Sequence, residues 1–370
     1  MRQAIARVLR GLRADTFFQI LLAGLLVLGA VSPLRVSGFG ALVDWPTISA
    51  LTGLLLLTKG LELSGALQHL GHRLVAAMAT ERAVALSLVL AAAALSTVLT
   101  NDVALFVVVP LTLGVCRITG LPATRLIVFE ALAVNAGSAL TPIGNPQNLF
   151  LWQLAKVSFG EFVWHQLPLV GGLMLALVGL TLFSFSSRPM HVQEDDAEPL
   201  DARLLALSLA LYVPFLAAAD LGHASWAVAF LLVLFVLLRP RVALELDWGL
   251  LLVFVLMFVD LRLLAQLPVV REAMAGLGLE QSAHLYWASI GASQVISNVP
   301  AAIALAEYSR DWRVIAYGVN VGGFGLMVGS LANLIALRMA GDARAWRTFH
   351  AYGVPALVLA AALGYGLLFL

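Results

Sequence analysis

Charge is what this 370-residue sequence has least of: Asp, Glu, Lys and Arg together make up 12% of it, about half the ~25% usual in soluble domains. What charge there is nearly cancels, with 22 Lys and Arg against 21 Asp and Glu. No basic excess exists to attract nucleic acid, and there is no acidic or basic tail. The single cysteine, Cys116, excludes an internal disulfide and reads as an inert core residue within an apolar run. Enzyme signatures are missing as well. No HExxH, GxSxG or Walker-A pattern occurs, and LLLLTKG lacks the glycines that cradle phosphate. His69 and His72 stand three apart with no Cys or His cluster to complete a metal site. These absences argue against an enzyme and against an ATP-driven pump on this chain.

Apolar surface is what the sequence has in excess: 61% of residues are hydrophobic and the mean hydropathy is +0.95. A soluble protein of this size cannot hide so much apolar surface, because its outer shell must be polar. The composition therefore reads as an all-α polytopic membrane protein. Spans need about 20 apolar residues, and candidates run over 16–33, 46–66, 166–186, 203–219, 224–238, 247–266 and 350–370. Arg2, Arg7, Arg10 and Arg13 precede the first span and predict a retained helix with a cytoplasmic N-terminus in the inner (plasma) membrane. Arg73, Arg82, Arg117, Arg125, Arg239, Arg241, Arg338, Arg344 and Arg347 fall on the same side, whereas Arg310 and Arg313 do not.

The interruptions repeat. NAGSALTPIGNPQNL, from Asn135, aligns with NVGGFGLMVGSLANL, from Asn320. Asn135/Asn320, Gly137/Gly322, Gly144/Gly329, Asn148/Asn333 and Leu149/Leu334 all pair 185 residues apart, as do His165 and His350. Upstream, LTND around Asn101 aligns with ISNV around Asn298, 197 residues apart. This predicts an inverted-topology repeat with two re-entrant hairpins and two broken transmembrane helices. The first half is 1–187, with hairpin 83–116 and broken helix 124–157. A cytoplasmic linker, 188–202, follows. The second half is 203–370, with hairpin 283–306 and broken helix 314–338.

Irregular backbone inside a bilayer survives only where protein or water covers it. A broken helix offers N–H groups suited to an oxyanion on one side and carbonyls suited to Na⁺ on the other. The candidate substrate-binding residues are therefore Thr100, Asn101, Ser297, Asn298, Thr141, Gly144, Asn145, Gly329 and Ser330. Coupling-ion candidates are Asn101, Asp102, Asn148, Asn298 and Asn333, with Na⁺ at Asn101, Gly144, Asn298 and Gly329. Asn148 and Asn333 read equally as caps of the second half-helices. Asp102 reads as a proton or Na⁺ site, or as a cap of the returning helix. Lys59, Glu62, Glu130, Asp260 and Arg262 are further charges in apolar surroundings; an internal ion pair or interfacial snorkelling is the favoured reading of Glu62 and Arg262.

The segments TKGLELSGAL, STVLTNDVALFVVVPL, NAGSALTPIGNPQNLFL, SNVPAAI and GSLANLIAL resemble, in order, the landmarks of the ion transporter superfamily. That group includes divalent anion/sodium symporters, citrate transporters and arsenite permeases, and the resemblance spans about residues 45–340. The TPIGNPQN form is most similar to its loosely named anion transporter members. In the symporter branch, Ser-Asn-Thr tripeptides at the hairpin tips hold substrate carboxylates. Here they read Thr100-Asn101-Asp102 and Ser297-Asn298-Val299, so the asparagine is kept and the final threonine is absent from both. The resemblance implies secondary active transport of a small carboxylate or inorganic oxyanion with Na⁺ or H⁺, no other cofactor, elevator-like motion and a homodimer. A Na⁺/H⁺ antiporter using Asp102 and Glu130, an arsenite exporter and a passive channel are the alternatives.

Overall fold

The structure, a computed structural model, describes residues 16–31, 36–66, 69, 80–189 and 200–370. Arg2, Arg7, Arg10, Arg13, His72, Arg73 and most of the 188–202 linker lie outside the described residues. The described residues form helices and no strand. In the first half these are α1 (Thr16–Val31), α2 (Trp45–Leu63), α3 (Glu81–Val98), α4 (Asn101–Thr119), α5 (Ala123–Ser138), α6 (Pro146–Ala155) and α7 (Phe159–Ser184). The second half continues with α8 (Ala202–Asp220), α9 (Ala224–Leu238), α10 (Pro240–Leu244), α11 (Trp248–Gln266) and α12 (Pro268–Ala275). It ends with α13 (Ser282–Ile296), α14 (Asn298–Ala306), α15 (Trp312–Val321), α16 (Leu331–Ala340) and α17 (Ala345–Phe369).

Local signals set these boundaries. Asp44, Ser158, Asp201, Asp247 and Asp311 each accept a backbone N–H of the first turn of α2, α7, α8, α11 and α15, the usual N-cap role of a short polar side chain. Among the described residues, α3, α7, α8, α11 and α17 are long and apolar enough to cross a membrane. The chain is thus a multi-pass membrane protein. Two expectations need adjustment: α7 and α17 begin at Phe159 and Ala345, before their most apolar runs. His165 and His350 therefore sit within the first turns of these helices.

Both expected breaks are present. The 83–116 stretch turns at Leu99–Thr100 between α3 and α4, and the 283–306 stretch turns at Ser297 between α13 and α14. Each long interrupted segment splits, α5 from α6 and α15 from α16. The hairpins differ in height. With 18 and 19 residues, α3 and α4 rise about 27 and 28 Å at ~1.5 Å per residue; α13 and α14 have 15 and 9.

The innermost layer is the broken helices, with Leu126–Ser138 of α5 and Val314–Val321 of α15 buried without interruption. The packing repeats between halves. Helices α3 and α4 pack on each other and on α5, as α13 and α14 do on each other and on α15. The second half-helices are exchanged: α6 packs on α14 and α15, while α16 packs on α4 and α5. Likewise α7 contacts α15 and α17 contacts α5. Small residues make the closest approach possible. A Cβ on Gly137 would strike the Ala93 carbonyl and Ser96, and one on Gly322 would strike Ser293, the counterpart of Ser96.

Candidate functional site

The first break holds itself together with asparagine. Asn145 accepts the Asn148 backbone N–H at 2.9 Å and so caps α6. Its Nδ2 donates to the Ser138 carbonyl at 3.1 Å and to Asn320 Oδ1 at 3.1 Å. Asn148 Nδ2 donates to the Ala139 and Thr141 carbonyls, both at 3.1 Å, and its Oδ1 accepts from Asn320 Nδ2 at 2.7 Å. Thr141 donates to the Thr97 carbonyl at 2.6 Å and accepts the Gly144 N–H at 3.1 Å. The tip of the first hairpin sits on this break, because the Asn101 N–H donates to the Gly144 carbonyl at 2.9 Å. A Cβ at Gly144 would strike the Ser96 and Ser138 carbonyls, so the glycine is what lets tip and break meet.

The second break is held differently. Asn135 Nδ2 donates to Asn333 Oδ1 at 2.7 Å and to the Gly323 carbonyl at 3.1 Å, which also accepts from Asn333 Nδ2 at 2.9 Å. Gln294 of α13 donates to the Gly322 carbonyl at 2.6 Å and accepts the Leu326 N–H at 2.8 Å. His350 Nε2 accepts the Met327 N–H at 3.3 Å. Gln294 was not singled out from the sequence, although it occupies the position 197 residues beyond Thr97, whose carbonyl serves the first break. Gly323 lies between Asn135 and Asn298: a Cβ there would stand 3.4 Å from Asn298 Nδ2 and 3.5 Å from Asn135 Cγ. Gly329 faces Gln294, whose Nε2 would be 3.2 Å from a Cβ.

Most amides are therefore occupied by the protein, and the free polar atoms lie elsewhere. Ser330, the repeat counterpart of Asn145, precedes α16 without a side-chain cap bond. Its hydroxyl and that of Ser297 are buried and unpartnered among the described residues, as is Asp102 Oδ1. Asn101 Oδ1 accepts the Asp102 N–H at 3.0 Å. Thr100 precedes α4 with no side-chain cap bond. Ser297 adopts φ +72°, ψ 155°, a region that non-glycine residues enter at about 1–3 kcal/mol. Thr100, its counterpart, is relaxed at φ −66°.

The remaining intramembrane charges divide into two sets. Lys59 and Glu62 pair at 2.6 Å. Arg262 pairs with Glu307 at 3.0 Å and Asp44 at 3.9 Å, and donates to the Leu42 carbonyl at 2.6 Å. Both groups are ion-paired and partly exposed. By contrast, Glu130 and Asp260 are buried and pair with no cation among the described residues.

Paired hairpin tips seated on paired broken helices, within a bundle of apolar spans, define a membrane transporter. The sequence places it more closely: residues 10–312 match the citrate transporter family, and the chain belongs to that family. It is 48% identical to Inner membrane protein YbiR of Escherichia coli over 97% of both chains. To Uncharacterized transporter MJ0456 of Methanocaldococcus jannaschii it is 31% identical, over 91% of this chain and 93% of that one. A 142-residue stretch, 38% of this chain and 28% of the other, is 31% identical to Silicon efflux transporter LSI3 of rice.

Proposed function

We propose that the protein is a secondary active transporter that moves a small oxyanion or carboxylate across the inner membrane, coupled to Na⁺ or H⁺. The observation that carries this reading is the uncapped start of α16. The Ser330 hydroxyl there, and the Ser297 hydroxyl at the tip of the second hairpin, are buried with no partner among the described residues. Buried polar groups without partners are costly unless a ligand or water satisfies them. A helix start adds N–H groups and a positive dipole end that favour an anion. Asn101 and Asn298 then act as tip residues that hold the two breaks in place, and Asp102 is a carboxylate beside the first tip with one oxygen left free. The pseudo-symmetric exchange of contacts between halves supports an inverted repeat, the architecture in which rocking one unit against another exposes a central site alternately.

The substrate class draws further support from the citrate transporter family match and from a relative named for silicon efflux. The test is purified protein in liposomes, offered citrate, phosphate, sulfate, arsenite and silicic acid under separate Na⁺ and H⁺ gradients. Accumulation of one of these against its own gradient is expected, and Ser330→Ala should reduce it. Flux that never exceeds passive equilibration under any ion gradient would make the protein a channel.

A further inference from the structure

A fully buried carboxyl sits in the core of the first half, away from both breaks. Glu130 lies on α5, five residues before Asn135, about 7.5 Å along the helix at ~1.5 Å per residue and on a different face. Its Oε1 accepts from the Thr112 hydroxyl of α4, itself fully buried. Its Oε2 has no partner among the described residues. The fold itself does not require an acid here. The counterpart of Glu130 in the second half, 185 residues on, is Ile315, equally buried in α15. One packing position is thus filled by an apolar side chain in one half and by a carboxyl in the other.

The charged groups on the helices packed around α5 are engaged elsewhere or sit at helix ends. Arg125 of α5 donates to the Ser184 carbonyl and Arg82 of α3 to the Phe185 carbonyl, while Ser186 donates to Glu81. On α7, Glu161 pairs with Arg313 of α15. On α17, Arg347 lies over Trp346, His350 accepts from Met327, and Tyr352 meets Phe129 edge to face. Arg338 closes the last turn of α16. On α4, Cys116 stands one turn beyond Thr112 and is buried. No cation meets the carboxyl among the described residues.

We propose that Glu130 is a proton-binding site of the transport core, loaded and unloaded once per cycle. The inference rests on the transporter reading and assigns the coupling ion as H⁺. Protonation forms an O–H bond on Oε2 from a hydronium ion and leaves water, with no electron transfer. A bare carboxylate in this surrounding is expensive without a counter-charge, so the proton is released only when rearrangement of α4 against α5 brings water or a cation to Oε2. Helices α4 and α5 carry Asn101 and Asn135, which ties the loading of Glu130 to the tip and break geometry.

The experiment uses the full chain in liposomes and two readouts. Labelling by dicyclohexylcarbodiimide, which attacks protonated carboxyls in apolar surroundings, is mapped by mass spectrometry across a pH series. Modification of Glu130 is expected at low pH and should fade as pH rises. Proton movement is followed with an internal pH-sensitive dye while arsenite, phosphate, citrate or silicic acid is supplied. E130Q should lower solute-driven proton movement by about tenfold or more, while exchange of the same solute at equal pH on both sides persists. E130I, which installs the residue of the symmetric position, provides a second variant if E130Q assembles poorly. Proton movement in E130Q within about twofold of the unmodified protein, or no labelling of Glu130 at any pH, would overturn the proposal. If the unmodified protein carries none of these four solutes and no sulfate either, it is the transporter reading that fails, and the labelling still reports on Glu130.

Discussion

Asn135 and Asn333, 198 positions apart in the chain, share a 2.7 Å hydrogen bond from Nδ2 to Oδ1. Asn320 and Asn148 share another of the same length and sense. Since Asn135 corresponds to Asn320 and Asn333 to Asn148, this is one bond made twice, each time between a first half-helix and the other half's second half-helix. The bond is thus a direct test of the repeat. Asn135→Ala and Asn333→Ala should each destabilise the purified protein by about 1–2 kcal/mol, the range for buried amide bonds between membrane helices. The double variant should cost clearly less than the two singles combined. Thermal unfolding in detergent measures both; strict additivity would show that the bond is not formed.

The strained Ser297 separates backbone from hydroxyl. Ser297→Gly removes the Cβ from a φ +72° position, and the folded state should gain about 1 kcal/mol. Ser297→Ala keeps the strain and loses only the hydroxyl, so its stability should stay close to that of the unmodified chain. Both variants should transport poorly. A Ser297→Gly protein less stable than Ser297→Ala would show that the conformation is not strained.

Equivalent helix starts should respond in opposite ways. Asn145 caps α6, so Asn145→Ala should cost about 1 kcal/mol or more of stability. Ser330 makes no cap bond at α16, so Ser330→Ala should barely move the unfolding temperature while weakening solute uptake. If the stability losses are equal, Ser330 serves structure rather than a ligand.

At the contact between tip and break, Gly144→Ala has no room: the new Cβ would meet two backbone carbonyls, which cannot swing aside as a side chain can. Destabilisation of about 1–3 kcal/mol is expected, together with loss of uptake. Gly114 on α4 has open space at its Cβ, and Gly114→Ala is the control. It should be neutral to mildly stabilising in both assays.

The sequence marked the breaks because glycine, proline and asparagine stand out within apolar runs and recur at fixed separations. Periodicity carries no information about which asparagine reaches which, so the crossed pairing of Asn135 with Asn333 was invisible. Gln294 was missed for a related reason: its partner position holds Thr97, which contributes a carbonyl rather than a side chain, so no residue identity repeats. The early starts of α7 and α17 were hidden because their first turns are aromatic and polar, and hydropathy registers only the apolar part. Asp102 and Glu130 stood out as charges, but that Thr112 supports one of them depends on how α4 lies against α5.

The crossing of half-helices also sets an order for assembly. As the chain emerges, α6 enters the membrane long before α14 and α15 exist to cover it, and α4 and α5 must wait as long for α16. The buried amides of Asn145 and Asn148 have no trans-acting partner until Asn320 has been synthesised. Until then, the contacts open to the first break are its own, Asn145 to the Asn148 N–H and Asn148 to the Ala139 and Thr141 carbonyls. Its completion is a late event that the last third of the chain triggers.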